Sequence, residues 1–155
     1  WLHAWEYGDK GRITNAIPPT SAEDHALAWT TEVAERERDA IRLFFEPEIW
    51  IDDRRGGPSS LSFRVLSEAF EARLAFYVED DQGRRYAADG LVVAGTVDWT
   101  SVRVLMSDLV PIDSTIPQDR LDSRKVRSFT LLDVTSSETP SRGPNTLYLD
   151  DLSVQ

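Results

Sequence analysis

Side chains able to do chemistry are few in this chain, and their spacing excludes much. His3 and His25 are its two histidines, and neither sits in a metal-binding spacing such as His-Glu-x-x-His. No Gly-x-Ser-x-Gly presents a serine nucleophile. There is no cysteine, which excludes thiol nucleophiles, Cys-ligated zinc and disulfide scaffolds. Gly56-Gly57-Pro58 lacks the later glycine and the lysine of a phosphate loop and reads as a turn. Carboxylates occur as the pairs Asp52/Asp53, Asp80/Asp81 and Asp150/Asp151. A retaining glycosidase holds two carboxyl groups about 5 Å apart, whereas neighbours in a strand point to opposite faces. These pairs are therefore not themselves catalytic pairs, and the first two lie among turn-forming residues. Asp150 and Asp151 differ because they interrupt the apolar run Leu147-Tyr148-Leu149-Asp150-Asp151-Leu152-Ser153-Val154. Acids there need a partner. A hard cation held by carboxylate and backbone oxygens would supply one; a hydrogen-bonded β-bulge is the other reading.

Arginine is the second chemistry-bearing type. Of the 17 basic residues only Lys10 and Lys125 are lysine. Where the chain alternates as strands do, Arg42, Arg64, Arg73, Arg103 and Arg127 fall on the outward side. The guanidinium fork reads carboxylates and planar hydroxyl pairs, so such a stripe suits uronic or otherwise anionic sugars. The competing reading is that each arginine pairs with an acid across a solvated sheet face.

The 155 residues carry 17 basic and 27 acidic side chains, a net charge of −10. Duplex nucleic acid and anionic membranes select the opposite sign, so neither is an expected partner. No apolar run approaches the roughly 20 residues of a membrane span. A hydrophobic content of 41% with five tryptophans argues against disorder. Residues 1–155 are read as a single domain with one core. The chain begins with Trp1 and shows no leader pattern, so it is expected to be cut from a longer protein or processed.

The elements that must position these residues read as strands. Residues 1–19 have no clear period and end in Ile17-Pro18-Pro19, an entry loop or edge strand. Leu27, Trp29, Thr31 and Val33 alternate through 26–34, as do Ile41, Leu43 and Phe45 through 40–46. A helix over 22–44 competes there, because Ala, Glu and Arg favour helices. Leu61, Phe63 and Val65 share one face, and Phe70, Ala72, Leu74, Phe76 and Val78 another. Asp80-Asp81-Gln82-Gly83 makes a hairpin-like turn into 84–88. Further strands are expected at 99–105, 126–134 and 146–154, with proline-marked loops between. Eight or nine alternating strands without βαβ units describe an all-β protein, a two-sheet antiparallel β-sandwich or jelly roll.

Four stretches, in order, carry a resemblance. Leu61-Ser62-Phe63-Arg64-Val65 is similar to an "LSF-v" strand. Phe76-Tyr77-Val78-Glu79-Asp80-Asp81-Gln82-Gly83-Arg84-Arg85-Tyr86 is similar to "l-v-D-x-G-x-x-Y". Trp99 to Leu109, followed by Leu121 to Phe129, resembles "W-x-x-v-x-v-p-l-s-D-l … l-d-l-s-x-v-r-s-i". The ending from Asn145 to Val154 resembles the last strand of jelly-roll carbohydrate-binding modules with a galactose-binding-like fold, nearest to those that bind β-glucans, mixed-linkage glucans included. The match covers residues 61–154.

The resemblance implies a non-catalytic module that binds a polysaccharide on the outer face of one sheet and targets an attached catalytic domain of the same chain, outside the cell or at its surface. Aromatic stacking and Arg or Asp hydrogen bonds would hold the sugar. Joined to the outward positions, it nominates Trp29, Trp50, Arg64, Arg73, Tyr77, Tyr86 and Arg103, although a core role competes for Trp29, Trp50 and Trp99. It also implies a structural calcium on Asp150, with Glu6 as a looser match near the chain start. Fold does not fix function. A structural or protein-docking sandwich remains the alternative, with the loop over 110–122 as its docking element. A jelly-roll lyase using Tyr77 or a histidine with an arginine stands behind that.

Overall fold

The computed structural model describes residues 3–7, 12–19, 25–35, 38–44, 59–113 and 120–155, with backbone only at 3–7, 43 and 44. Twelve strands occur in these segments: β1 (His3–Tyr7), β2 (Arg12–Ala16), β3 (Ala26–Val33), β4 (Asp39–Phe44), β5 (Ser60–Ser67), β6 (Ala72–Asp80), β7 (Arg85–Ala87), β8 (Val92–Ala94), β9 (Thr100–Leu105), β10 (Val110–Pro111), β11 (Val126–Asp133) and β12 (Gly143–Val154). They form two antiparallel sheets. Sheet A runs β1-β4-β11-β6-β7-β10, with β8 beside β6; sheet B runs β2-β3-β12-β5-β9. This is the β-sandwich expected from the alternation. Among the described residues no helix is long and apolar enough to cross a membrane.

Strand period two places Leu61, Phe63 and Val65 of β5 opposite Leu74, Phe76 and Val78 of β6 in one core, joined by Ile41, Phe129, Leu131, Leu147 and Leu149. The rings of Phe63, Phe76 and Phe129 stack at centroid separations of 5.8–6.4 Å. The helix considered over 22–44 does not form. Trp29 of β3 and Ile41 of β4 are buried in the core, and that burial overrides intrinsic helix propensity. The entry segment supplies β1 and β2, each an edge strand of one sheet.

Local chemistry fixes the turns. Asp80 is buried at the end of β6. Its Oδ1 accepts from the backbone N–H of Gln82 and of Arg84, and Arg84 Nε donates to Oδ2 at 2.7 Å. Gly83 follows with φ +75°, which glycine adopts without steric cost. Asn145, also buried, ties β12 to the end of β5: its amide donates to Ser67 Oγ, and its carbonyl accepts from the backbone of Ala69.

β12 carries the main irregularity. Its pairing with β5 shifts register between Asp150 and Ser153, and Asp151 takes φ +52°. This is a β-bulge. The rule that adjacent strand residues point apart fails here, because Asp150 and Asp151 both reach Arg64.

Candidate functional site

The outer face of sheet A collects polar side chains beside an accessible aromatic ring. In register across the sheet lie Ala87 of β7, Tyr77 of β6, Thr130 of β11 and Arg42 of β4, with the backbone of residue 5 of β1 level beyond them. One step along β6, Glu79 stands opposite Arg85 and Ser128. Arg85 Nε donates to Glu79 Oε2 at 3.2 Å, and Arg42 Nη2 lies 3.6 Å from the same oxygen. Arg42 Nε donates to Thr130 Oγ1 at 3.3 Å. The Arg85 guanidinium sits over the Tyr77 ring, 5.5 Å from its centroid. Arg42 and Thr130 are buried, Tyr77 and Glu79 half-buried, and Arg85 exposed. The row therefore descends from an open edge to a buried floor.

Such an arrangement holds flat, polar-edged molecules. An aromatic ring offers apolar area at low entropic cost. A carboxylate between two guanidinium groups accepts from paired hydroxyls while its neighbours donate. The one carboxylate contacts both arginines and offsets one of their two charges, so neither guanidinium is presented without an acid beside it.

The outer face of sheet B differs. Ala26, Ala28, Leu66 and Tyr148 form a small buried apolar cluster there, with Ala16 and Trp99 packed against it. Tyr148 Oη donates to Glu68 Oε2 at 3.0 Å, and burial, then the Glu68 interaction, raises its pKa. Arg64 Nη2 donates to Asp150 Oδ2 at 3.0 Å, Arg64 Nε lies 2.6 Å from Asp151 Oδ2, and the guanidinium stands 5.1 Å from the Trp99 ring centroid. Arg103 reaches Ser60 Oγ at 3.4 Å.

The residues nominated from sequence thus separate. Arg73 and Tyr77 lie on the outer face of sheet A, whereas Arg64 and Arg103 lie on that of sheet B. Arg73 pairs with Glu71 at 2.6 Å. Trp29 and Tyr86 are core residues, 0% and 1% exposed, and take no part in a surface site. Tyr86 aligns with inward-facing Val78, which accounts for its burial. Trp50 lies outside the described residues, as does the turn at 52–58, and the side chains of Glu6 and His3 are likewise outside the description. Sequence reasoning missed Glu79, Arg85 and Thr130. For Glu79 and Arg85 the signal was present: both flank the Asp80 turn in phase with Tyr77.

Of the strand arginines read as an anion-binding stripe, Arg42, Arg64 and Arg73 each pair with acids of this chain. Pairing with acids is the reading realised at these three positions, between strands for Arg42 and Arg64 and with a residue two places away for Arg73.

Donor chemistry around Asp150 bears on the implied calcium. Asp150 Oδ1 accepts from the backbone N–H of Asp151 at 2.8 Å, and Oδ2 accepts from Arg64. A divalent ion would need these oxygens and would be repelled by the guanidinium already on them. Among the described residues no group of three or more His, Asp or Glu side chains is placed to hold a metal ion. The residues around Asp150 do not fit calcium.

No protein-family model and no curated protein matches the chain. Solved structures do. A family 11 carbohydrate-binding module of Clostridium thermocellum, in complex with a β-1,3-1,4-mixed-linked tetrasaccharide, superposes with a TM-score of 0.65 at 9% identity, covering 99% of this chain and 87% of that one. An exo-β-agarase gives 0.66 at 13% identity, with 99% of this chain lying on 23% of the agarase. A family 28 module specific for non-crystalline cellulose gives 0.55 at 12% identity, covering 92% and 79%. The chain has the β-sandwich fold that these carbohydrate-binding modules share.

Proposed function

We propose that the chain is a non-catalytic polysaccharide-binding module, and that the outer face of sheet A is its binding surface. The observation that supports this best is the in-phase set Tyr77, Glu79 and Arg85, a ring beside a fixed carboxylate and guanidinium at the open end of the row. Solved structures with this fold include carbohydrate-binding modules, one of them in complex with a mixed-linkage oligosaccharide. Arg42, Arg64 and Arg73 of the arginine stripe are each engaged by acids of this chain, which favours a neutral β-glucan over the acidic glycan that the stripe suggested. Binding would proceed by stacking on Tyr77 and hydroxyl exchange with Glu79 and Arg85, without bond breaking. The module would act by holding an attached carbohydrate-active enzyme on its polymer outside the cell or at its surface.

Affinity electrophoresis in gels containing mixed-linkage glucan, soluble cellulose derivatives, agarose or uronic-acid polymers tests this. The expected result is retardation by a neutral glucan, lost in Tyr77→Ala with an unchanged melting temperature. Unretarded migration in every gel would overturn the assignment.

A docking domain is the second reading. Edge strand β10 leaves Val110 and adjoining Ile112 exposed at 59% and 53%. Pro111 between them limits edge-to-edge strand pairing, so a partner would meet their side chains.

A further inference from the structure

We infer that Arg64 acts as a built-in counter-cation for Asp150 and Asp151, in the place where the resemblance implied a structural calcium, and that these two acids are consequently held without a divalent metal. The inference is independent of what the module binds.

The bulge in β12 sets the arrangement. Two acids in the central strand of sheet B, flanked by Leu149 and Leu152 of the core, carry two negative charges within one register shift. Left alone they would repel one another, and Asp150, the more buried of the two, would resist desolvation. The bulge sends both carboxylates toward β5, where Arg64 stands directly opposite Asp150. The guanidinium then bridges them, with Nη2 on Asp150 Oδ2 and Nε beside Asp151 Oδ2. On its other side Trp99 supports the planar group. The Asp151 backbone N–H takes the remaining Asp150 oxygen, so each Asp150 oxygen has a donor within the chain. Arginine suits this role better than lysine, because a rigid fork can meet two carboxylates at once. A calcium ion on Asp150 would draw on the same oxygens. One positively charged group is therefore exchanged for another, and this one is covalently part of β5.

The test is thermal melting of the wild-type chain and of Arg64→Gln, each dialysed against chelator and then measured with and without millimolar calcium. Metal content is read in parallel by elemental analysis. The wild type is expected to hold no stoichiometric calcium and to melt at the same temperature in both conditions. A site saturated a hundredfold above its Kd would instead shift melting by roughly 5–10 °C. Arg64→Gln is expected to melt lower in chelator and to recover part of the loss in calcium, because its carboxylates then lack a counter-charge. Should Arg64→Gln fail to fold in either condition, Arg64→Gln with Asp150→Asn is compared with Asp150→Asn alone. Removing the arginine should cost clearly less in that background than in the wild type. Stoichiometric calcium in the wild type, chelator-induced lowering of its melting temperature, or an arginine loss of equal size in both backgrounds would each overturn the inference.

Discussion

Arg42 on β4 and Glu79 on β6 are not adjacent in the sheet, yet they meet across β11, with Nη2 3.6 Å from Oε2. Arg85 approaches the same carboxylate from β7 on the opposite side. Glu79 thereby links three strands of sheet A across a fourth, and it holds Arg85 over the ring of Tyr77. A long-range pair of this kind defines a surface more rigidly than separate solvated side chains would.

Replacing Glu79 with Gln should weaken glycan retention more than it weakens the fold. The amide keeps one acceptor but loses charge assistance from both guanidinium groups. Affinity for the neutral glucan identified by electrophoresis is expected to fall about tenfold, or about 1.4 kcal/mol. The unfolding midpoint in urea should move little, since Glu79 is half-buried. Unchanged retention would remove Glu79 from the binding surface.

Asp80→Ala should be much more damaging to stability. It would remove three hydrogen-bond acceptances at the turn joining β6 to β7 and leave Arg84 without its carboxylate at 2.7 Å. Arg84 is half-buried, so the charge left behind is partly solvated, and the loss should be about 2–3 kcal/mol, which equilibrium denaturation in urea would read. A loss under about 1 kcal/mol would show that the turn holds without this carboxylate.

Asp133 gives a pH signature. It is buried, its Oδ2 has no hydrogen-bond partner, and Asp39 stands opposite it in register. Burial first, and then the charge of Asp39, raises its pKa, against hydrogen bonds from Thr135. The folded state therefore prefers the protonated form. Its stabilising contribution is full below the ordinary carboxylate pKa and declines as pH rises from there through the raised folded value. Asp133→Asn stays neutral, so relative to wild type it should gain stability across that window, with the gain levelling off above it. Parallel melting curves from acid to neutral pH measure the difference; a gap independent of pH would contradict the assignment.

Trp29→Phe should affect stability and leave binding intact. The indole is fully buried, and its Nε1 lacks a hydrogen-bond partner. Phenylalanine would lose packing but also remove an unsatisfied donor, so the cost should be about 1–2 kcal/mol, below that of a truncation to alanine. A large loss of glycan retention in a folded variant would return Trp29 to the site.

The sandwich was legible because Leu61, Phe63 and Val65, like Leu74, Phe76 and Val78, repeat with the strand period, and burial on one side enforces that phase. The site was legible only halfway. Alternation says that Arg64, Arg73, Tyr77 and Arg103 point away from the core, but it does not say which sheet each strand joins. Strand order sends Arg73 and Tyr77 to one side of the molecule and Arg64 and Arg103 to the other. Tyr86 looked available because β7 is too short to establish a phase; register with Val78 turned it inward. At Asp151 the phase itself breaks, since a bulge is specified by local backbone geometry and its partners more than by hydropathy.

β12 is the last strand in chain order, yet it occupies the middle of sheet B, with Leu149 opposite both Leu27 of β3 and Val65 of β5. Its neighbours cannot form that sheet by pairing with one another first. The centre of the sandwich must wait until residues 143–154 find partners far back along the chain, and closing such long loops slows the search. Folding is therefore expected on the slow, millisecond-to-second side of the range for small domains. During synthesis, the facing edges of β3 and β5 would stay open until their shared neighbour arrives.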